Sequence, residues 1–519
     1  MSFRTAILET GNVFSSKFLS LAVPTRRVTS QSFLKGSGKT FVHKSFPSSL
    51  PSPMNNTLKK ENSILVLACA GFGMNVLAQY FASCKCLVYG MDRTFDRGGQ
   101  KRIRLCLELL GVKILSEKDS IPEAVTSVFL SPAIEADHPV FLEAQRKKIP
   151  CLKRSEFLIQ RFNESQGIGI SGTSGKTTVT GMLSWLFSGM KKKPFVFCGD
   201  EILNFASQTR LGNFRAGNLE TMILEIDESD GFLPSYQPHL AGITSLQKDH
   251  FPLKDLRRMF GSFVEQSKNV VYNLDCPETR KLFKNRHGIS VSLQNRKANY
   301  FGKLERVEGN RIFYSVSACG FVNAVRGELS IAGSYNVQNA ILAVALACEM
   351  GQKLTDAVEG LRTFQGIRNR FELKQKNGSY FILDFAHNPE KVTASLLAAQ
   401  NLGYPVVYVF QPHGYGPLKF MLKEFANAFQ KTLRKEDTLI VLPVYDAGGT
   451  ADRSVTAADL VTKINRTMIK PQALVLTMNS REALKSWARK NVVGKKSWVI
   501  TGARDETLRD LREEIVNIV

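Results

Sequence analysis

The stretch 167–185, GIGISGTSGKTTVTGMLSW, runs from a short apolar strand through Gly172-Thr173-Ser174-Gly175-Lys176-Thr177-Thr178 into a helix with apolar periodicity. Strand, glycine-bearing turn and helix in that order make a phosphate cradle. Glycines let backbone N–H groups close around phosphate oxygens, and the helix N-terminus adds partial positive charge. Lys176 is placed to reach the β- and γ-phosphates, and the Thr177 hydroxyl to ligate Mg2+. A Walker A loop wants glycine where Ile170 stands, so this is a shortened G-T-x-G-K-T-T loop. Gly36-Ser37-Gly38-Lys39-Thr40 has similar letters with neither a strand before it nor an amphipathic helix after it, and reads as coincidence.

Downstream of the loop, the apolar strand Thr221 to Leu224 ends in Glu225-Ile226-Asp227-Glu228-Ser229-Asp230. Carboxylates at the C-terminal end of a strand beside a phosphate loop are where Mg2+ finds hard oxygen ligands, so Glu225 is a candidate metal ligand. A solvated acidic loop is the alternative. Another strand, Leu240 to Thr244, leads to Lys248-Asp249-His250, and His250 at its end is a candidate second metal or phosphate contact. Alternating segments near Asn299 to Lys303 and Arg311 to Val316 predict a hairpin. Gly333-Ser334-Tyr335-Asn336-Val337-Gln338-Asn339 opens an Ala-rich helix to Met350, with its two asparagines one turn apart on one side.

Upstream, Ser63 to Ala68, the turn Ala70-Gly71-Phe72-Gly73-Met74 and a strand ending near Asp92 form a Rossmann-like βαβ unit. With Val76 in the third glycine's place, that turn is a weak dinucleotide signal; it equally suits another nucleotide or close helix–strand packing. Beyond Gly366-Ile367-Arg368-Asn369-Arg370-Phe371-Glu372, strands and helices alternate to the end of the chain. That pattern predicts a second doubly wound parallel sheet, whose strand-end loops carry Asp384-Phe385-Ala386-His387-Asn388-Pro389 and Gln411-Pro412-His413-Gly414.

A chain of 519 residues needs about three cores, and its 43% apolar and 22% charged content is that of a globular protein. No apolar run approaches the roughly 18 to 20 residues of a membrane span, so a soluble chain with no membrane partner is expected. Nine dispersed cysteines without CxxC pairs fit reduced, core-filling thiols of a cytosol-like compartment, and a cytoplasmic location is expected. Residues 1–60 hold nine Lys/Arg against Glu9 alone and lack a packable apolar face. They read either as an organelle (plastid or mitochondrion) transit peptide or, from 1–53, as sequence upstream of a start at Met54. The +15 that remains of the net +23 is diffuse; it suits an anionic small substrate, and no recognised nucleic-acid module accompanies it.

Taken together, GTSGKTT, LEIDESD, KDH, GSYNVQN, RNRFE, DFAHNPE and FQPHGYG stand in the order and rough spacing of the Mur ligase family, which the chain resembles from about residue 62 to its end. The resemblance implies a three-domain α/β architecture. Residues 1–60 would be an extension, 61–163 a Rossmann-like UDP-substrate domain, 164–365 the P-loop ATP-binding domain and 366–519 a Rossmann-like amino-acid and ATP domain. It implies ATP and Mg2+ as cofactors, and a UDP-sugar carboxylate and an amino acid as substrates, in a monomer or dimer. EIDESD, FQPH and AGFGM look most like the branch that adds L-alanine to UDP-N-acetylmuramate through an acyl phosphate in peptidoglycan synthesis.

Carried over by motif, Lys176, Glu225, His250 and Arg370 are the implied catalytic residues: Lys176 on the γ-phosphate, Arg370 on the transferred phosphate, and Thr177, Glu225 and His250 on metal. Gly172 to Thr178, Asn336, Asn339 and Asp384 are implied for ATP, and Gly71, Gly73 and Asp92 for the UDP substrate. His387, Asn388, His413 and Arg453 are candidates for the amino acid. The alanine-adding branch usually has His where Ser174 stands, H-H-P where His387-Asn388-Pro389 stands, and Arg at Gly414. Gly414 cannot grip a carboxylate, so a cation from elsewhere is expected, with Lys419, Arg453 and Arg504 nearest by sequence. Rival readings are a related ligase with another acceptor, of the murein-peptide-recycling or folylpolyglutamate-synthase type, and a noncatalytic nucleotide-binding protein that kept the fold.

Overall fold

Three sheets organise the chain in a computed structural model that describes residues 62–519, except 132–133, 190–192, 249–250, 321–322, 447–451, 468–472, 492 and 504. The first lobe is a five-stranded parallel sheet in the order Lys113–Leu115, Leu87–Met91, Ser63–Leu67, Ser127–Leu130, Cys151–Lys153. Ser63–Leu67 is buried on both faces, as a central parallel strand must be, which is why SILVL is a continuous apolar run rather than an alternating one. Its C-terminal end turns through Gly71 into the helix Phe72–Ser83, giving the expected βαβ unit.

The second lobe is a ten-stranded sheet centred on Ile168–Ser171, which lies between Leu240–Ile243 and Asn218–Glu225 in parallel register. All three strands end on the same edge, so the phosphate loop, the segment from Thr244 and the carboxylate of Glu225 emerge side by side. The expected hairpin is present as antiparallel Tyr300–Glu308 and Arg311–Ala318. The helices Lys176–Leu186 and Asn336–Glu349 share one apolar core, with Val179, Leu183, Ile341 and Val344 fully buried.

The third lobe has six strands in the order Glu372–Lys376, Ser379–Asp384, Ser497–Gly502, Val406–Gln411, Thr438–Val441, Leu474–Thr477. Here the expectation of a wholly parallel sheet is corrected. Glu372–Lys376 pairs antiparallel with Ser379–Asp384 through a tight turn at Asn377 and Gly378, both with positive φ. The other pairings are parallel. No helix among the described residues is long and apolar enough to cross a membrane.

Candidate active site

The phosphate loop is braced from the neighbouring strand end. Thr173 N–H donates to Ser245 O at 3.0 Å, Ser174 N–H to Ser245 Oγ at 3.0 Å, and Gln247 N–H to Thr173 Oγ1 at 3.0 Å. Gly172 (φ 140°) and Gly175 (φ 89°) take backbone angles that a side chain would strain, and a Cβ on Gly175 would stand 2.6 Å from Asn339 Oδ1. The glycine thus lets the second asparagine of the Ala-rich helix come against the loop. Asn336 turns inward instead, donating to Ala332 O at 2.7 Å and accepting from Asn339 Nδ2 at 3.0 Å.

Behind the loop, Lys176 Nζ lies 2.6 Å from Glu228 Oε2 and 3.5 Å from Asp227 Oδ1. Burial opposes the charge on Lys176, but the acids around it prevail and hold its pKa above the ordinary lysine value. Burial pushes Glu228 up, against the pull of that ammonium. Thr177 Oγ1 donates to Glu225 Oε1 at 2.8 Å, while Glu225 Oε2 accepts from Gly199 N–H at 2.6 Å. A Cβ at residue 199 would stand 2.7 and 2.8 Å from the two Glu225 oxygens, so the bare backbone there sets the carboxylate's orientation.

Arg370 arrives on the linker into the third lobe between two non-glycine residues in the left-handed region, Asn369 (φ 59°) and Phe371 (φ 49°). Such residues persist only where their surroundings over-determine them. Phe371 N–H donates to Asp384 Oδ1 at 3.1 Å, and the Asn369 amide oxygen accepts from Arg509 at 2.9 Å. Asp384 therefore fixes the loop that presents Arg370 as well as facing the cavity, and burial raises its pKa. The guanidinium of Arg370 stacks 4.3 Å from the Phe385 ring centroid.

These groups share one cavity of about 540 Å³. Thr173 to Thr178, Glu225, Asp227, Glu228, Asn339, Arg370, Asp384, His387 and His413 all line it, so the second and third lobes close on a common space. His387 Nδ1 is 2.8 Å from Phe385 O; a carbonyl only accepts, so Nδ1 carries the proton and Nε2 faces Lys391 Nζ at 3.3 Å as acceptor. Burial, then Lys391 and His413, depress the His387 pKa far below the usual imidazole value and keep the ring neutral. The rings of His387 and His413 meet edge-on at 4.9 Å.

Several expected residues lie elsewhere or do something local. Asn388 Oδ1 accepts from Lys391 N–H at 2.9 Å as N-cap of the helix Pro389–Gln400. Arg453 lies outside the cavity lining, paired with Asp446 at 2.8 Å, and Lys419 is paired with Asp452 at 2.6 Å. His250 and Arg504 fall outside the described residues. In the first lobe, Asp92 accepts from Ala70 N–H at 2.9 Å and Thr94 N–H at 2.7 Å, tying the glycine turn to the next strand's end. Gly73 passes directly beneath the Arg154 guanidinium, and Gly71 is the N-cap residue of the helix Phe72–Ser83.

Sequence reasoning singled out neither Glu228, within the quoted acidic run, nor Glu390. Glu390 Oε2 accepts from Ser174 Oγ at 3.0 Å and Oε1 from Gln247 Nε2 at 2.8 Å, bridging the lobes at the mouth of the loop. Its only signal was its place next to His387-Asn388-Pro389.

Magnesium takes hard oxygen ligands and retains several waters beside substrate phosphates. The Thr177 hydroxyl and Glu225 carboxylate at the loop suit that donor set. Among the described residues no group of three or more His, Cys, Asp or Glu side chains converges as a self-sufficient metal cage.

The profile of the Mur ligase middle domain matches residues 170–347, and that of the Mur ligase glutamate ligase domain matches 369–504. The UDP-N-acetylmuramate–L-alanine ligase of Gloeobacter violaceus is 30% identical over 393 residues, 73% of this chain and 80% of that protein. The chain belongs to the Mur ligase family. A second Mur ligase, the UDP-N-acetylmuramate–L-alanine ligase of Thermosynechococcus vestitus, is 29% identical over 409 residues, covering 76% of this chain and 83% of the relative. The Mur ligase fold is confirmed by the crystal structure of the UDP-N-acetylmuramate–alanine ligase of Thermotoga maritima. It aligns with a TM-score of 0.69 at 22% identity over 88% of this chain and 98% of that one.

Proposed function

We infer that this chain is an ATP-dependent carboxylate–amine ligase that joins an amino acid, L-alanine by family likeness, to the carboxylate of UDP-N-acetylmuramate. The observation that carries the reading is the shared cavity, in which the phosphate loop with Lys176, Thr177 and Glu225 faces Arg370, His387 and His413 of the third lobe. Residues 61–163 would take the nucleotide sugar, 164–365 ATP, and 366–519 the amino acid.

In this reading, Thr177 and Glu225 hold Mg2+, which when bound neutralises phosphate charge. The γ-phosphoryl group passes from ATP to the sugar's carboxylate, giving an acyl phosphate and ADP. The amine nitrogen then bonds to the carbonyl carbon and gives up a proton as the C–O bond to phosphate breaks. The chain supplies positive charge where the phosphoryl oxygens gain negative charge, from Lys176 on one wall and Arg370 on the other. A cavity closed by two lobes keeps water from the acyl phosphate. Support for Arg370 in that position comes from its braced backbone, since an arginine on a flexible linker would dilute its own effect.

The test is ADP release by the purified protein with UDP-N-acetylmuramate and a panel of amino acids. Release that needs both substrates and yields UDP-N-acetylmuramoyl-L-alanine supports the reading. ADP release indifferent to the nucleotide sugar would overturn it.

A further inference from the structure

An amino acid that attacks an acyl phosphate formed at the loop must enter the same cavity from the wall opposite the loop. That wall belongs to the third lobe and includes His387, Glu390, Lys391, Ala394, His413 and Ala503. Every α-amino acid presents a carboxylate, and a buried carboxylate needs a cation. Gly414 offers none. The pairs Lys419–Asp452 and Arg453–Asp446 lie outside the lining.

Three Lys or Arg residues are among the described residues that line the cavity: Lys176, Arg370 and Lys391. The first two face the phosphoryl group in the reading above. Lys391 stands in the first turn of the helix Pro389–Gln400, where the helix dipole favours acids and disfavours a cation. Its placement is therefore not explained by helix stability. It is explained by the cavity: Asn388 fixes its backbone through the N-cap bond, and the neutral Nε2 of His387 accepts from its ammonium at 3.3 Å and steers it.

We propose that Lys391, steered by His387, is the cation that binds the α-carboxylate of the incoming amino acid, supplying a charge that Gly414 cannot. The assignment rests on the ligase reading above. A lysine is a point charge on a flexible stem rather than a bidentate fork, so it secures the carboxylate with less constraint on the amino acid's orientation than an arginine would.

The test compares the KM of L-alanine with that of L-alaninamide, which keeps the amine and lacks the carboxylate, in wild type, K391M, K391R and R504M. If another amino acid is turned over faster, it and its amide replace the pair. Wild type should favour the acid by about 10- to 100-fold. K391M should lose that preference, raising the KM of the acid by the same factor while leaving the KM of the amide and of ATP within about twofold. K391R should restore most of it. A purely structural role for Lys391 would raise both KM values together. Wild type that does not discriminate, K391M that still does, or loss of discrimination in R504M but not in K391M each overturns the proposal while leaving ligation intact. Wild type with no amino-acid-dependent ADP release overturns the ligase reading itself and this assignment with it.

Discussion

Replacing Glu201 with glutamine should weaken the junction of the three lobes and the activity together. The Glu201 side chain is 2% exposed and takes Arg102 of the first-lobe helix Lys101–Leu109 in a two-pronged grip, Nη1 to Oε1 at 2.5 Å and Nη2 to Oε2 at 2.8 Å. Gly212 N–H donates to Oε2 at 3.2 Å, and Arg368 Nε stands 2.9 Å from Oε1 as an ion pair outside hydrogen-bonding angles. Breaking a buried pair by removing one partner costs roughly 3–5 kcal/mol, chiefly from the charge left uncompensated. The side chains of Arg102 and Arg368 are 26% and 23% exposed, so water recovers part of that loss and about 2–3 kcal/mol is expected. Arg368 lies two residues before Arg370, so kcat should fall about tenfold as the phosphate-facing guanidinium loses its fixed position. Urea denaturation of E201Q, R102M and the double variant reads the coupling directly: the double should lose less than the sum of the singles. A change under about 0.5 kcal/mol in E201Q, or losses that simply add, would show that the triad does not hold the lobes.

Lys176→Met should lower kcat by about a hundredfold or more through loss of roughly 3 kcal/mol of charge stabilisation, with unchanged circular dichroism; near-normal turnover would remove Lys176 from the phosphoryl-transfer step. Gly199→Ala should push the Glu225 carboxylate from its place and raise the half-saturating Mg2+ concentration about tenfold, which a magnesium titration of ADP release checks; an unaltered titration would exclude Glu225 as a ligand. Burial pushes the Asp200 pKa from 3.8 up to about 7, against the pull of Arg370. The folded state therefore holds a proton that the unfolded state releases, so this group's contribution to stability falls as pH rises from about 4 to 7 and is level above. Asp200→Asn should abolish that slope and be the more stable protein at pH 8, by up to about 4 kcal/mol. Parallel stability curves for the two proteins between pH 5 and 8 would contradict this.

Much of the protein was legible because the information is local. Apolar runs of four to six residues mark strands buried on both faces of parallel sheets, and the strand before the phosphate loop could be read from its own letters. Gly172 and Glu225 sit at strand ends, where parallel α/β sheets put ligands, and Lys176 and Thr177 open the helix that follows, so the centre of the site followed from the alternation of elements. The reversal of Glu372–Lys376 was not legible in the same way, because an edge strand's direction depends on the turn that joins it rather than on its apolar pattern.

Sequence alone determined the three-lobed α/β plan, the phosphate loop and the family, since the loop is written in one strand–turn–helix and the plan and the family in the order of such local motifs along the chain. Tertiary structure alone decided which carboxylates and cations meet. Glu228 reaches Lys176 across 52 positions, and Glu390 reaches Ser174 across 216, because sheet order and lobe closure bring those strand ends together. The same closure puts Lys391 on the cavity wall and leaves Lys419 and Arg453, equally near by sequence, paired with acids outside it. A side chain's charge is written at its own position, but the direction in which it points is set by the packing of elements hundreds of residues apart, and no local pattern encodes that.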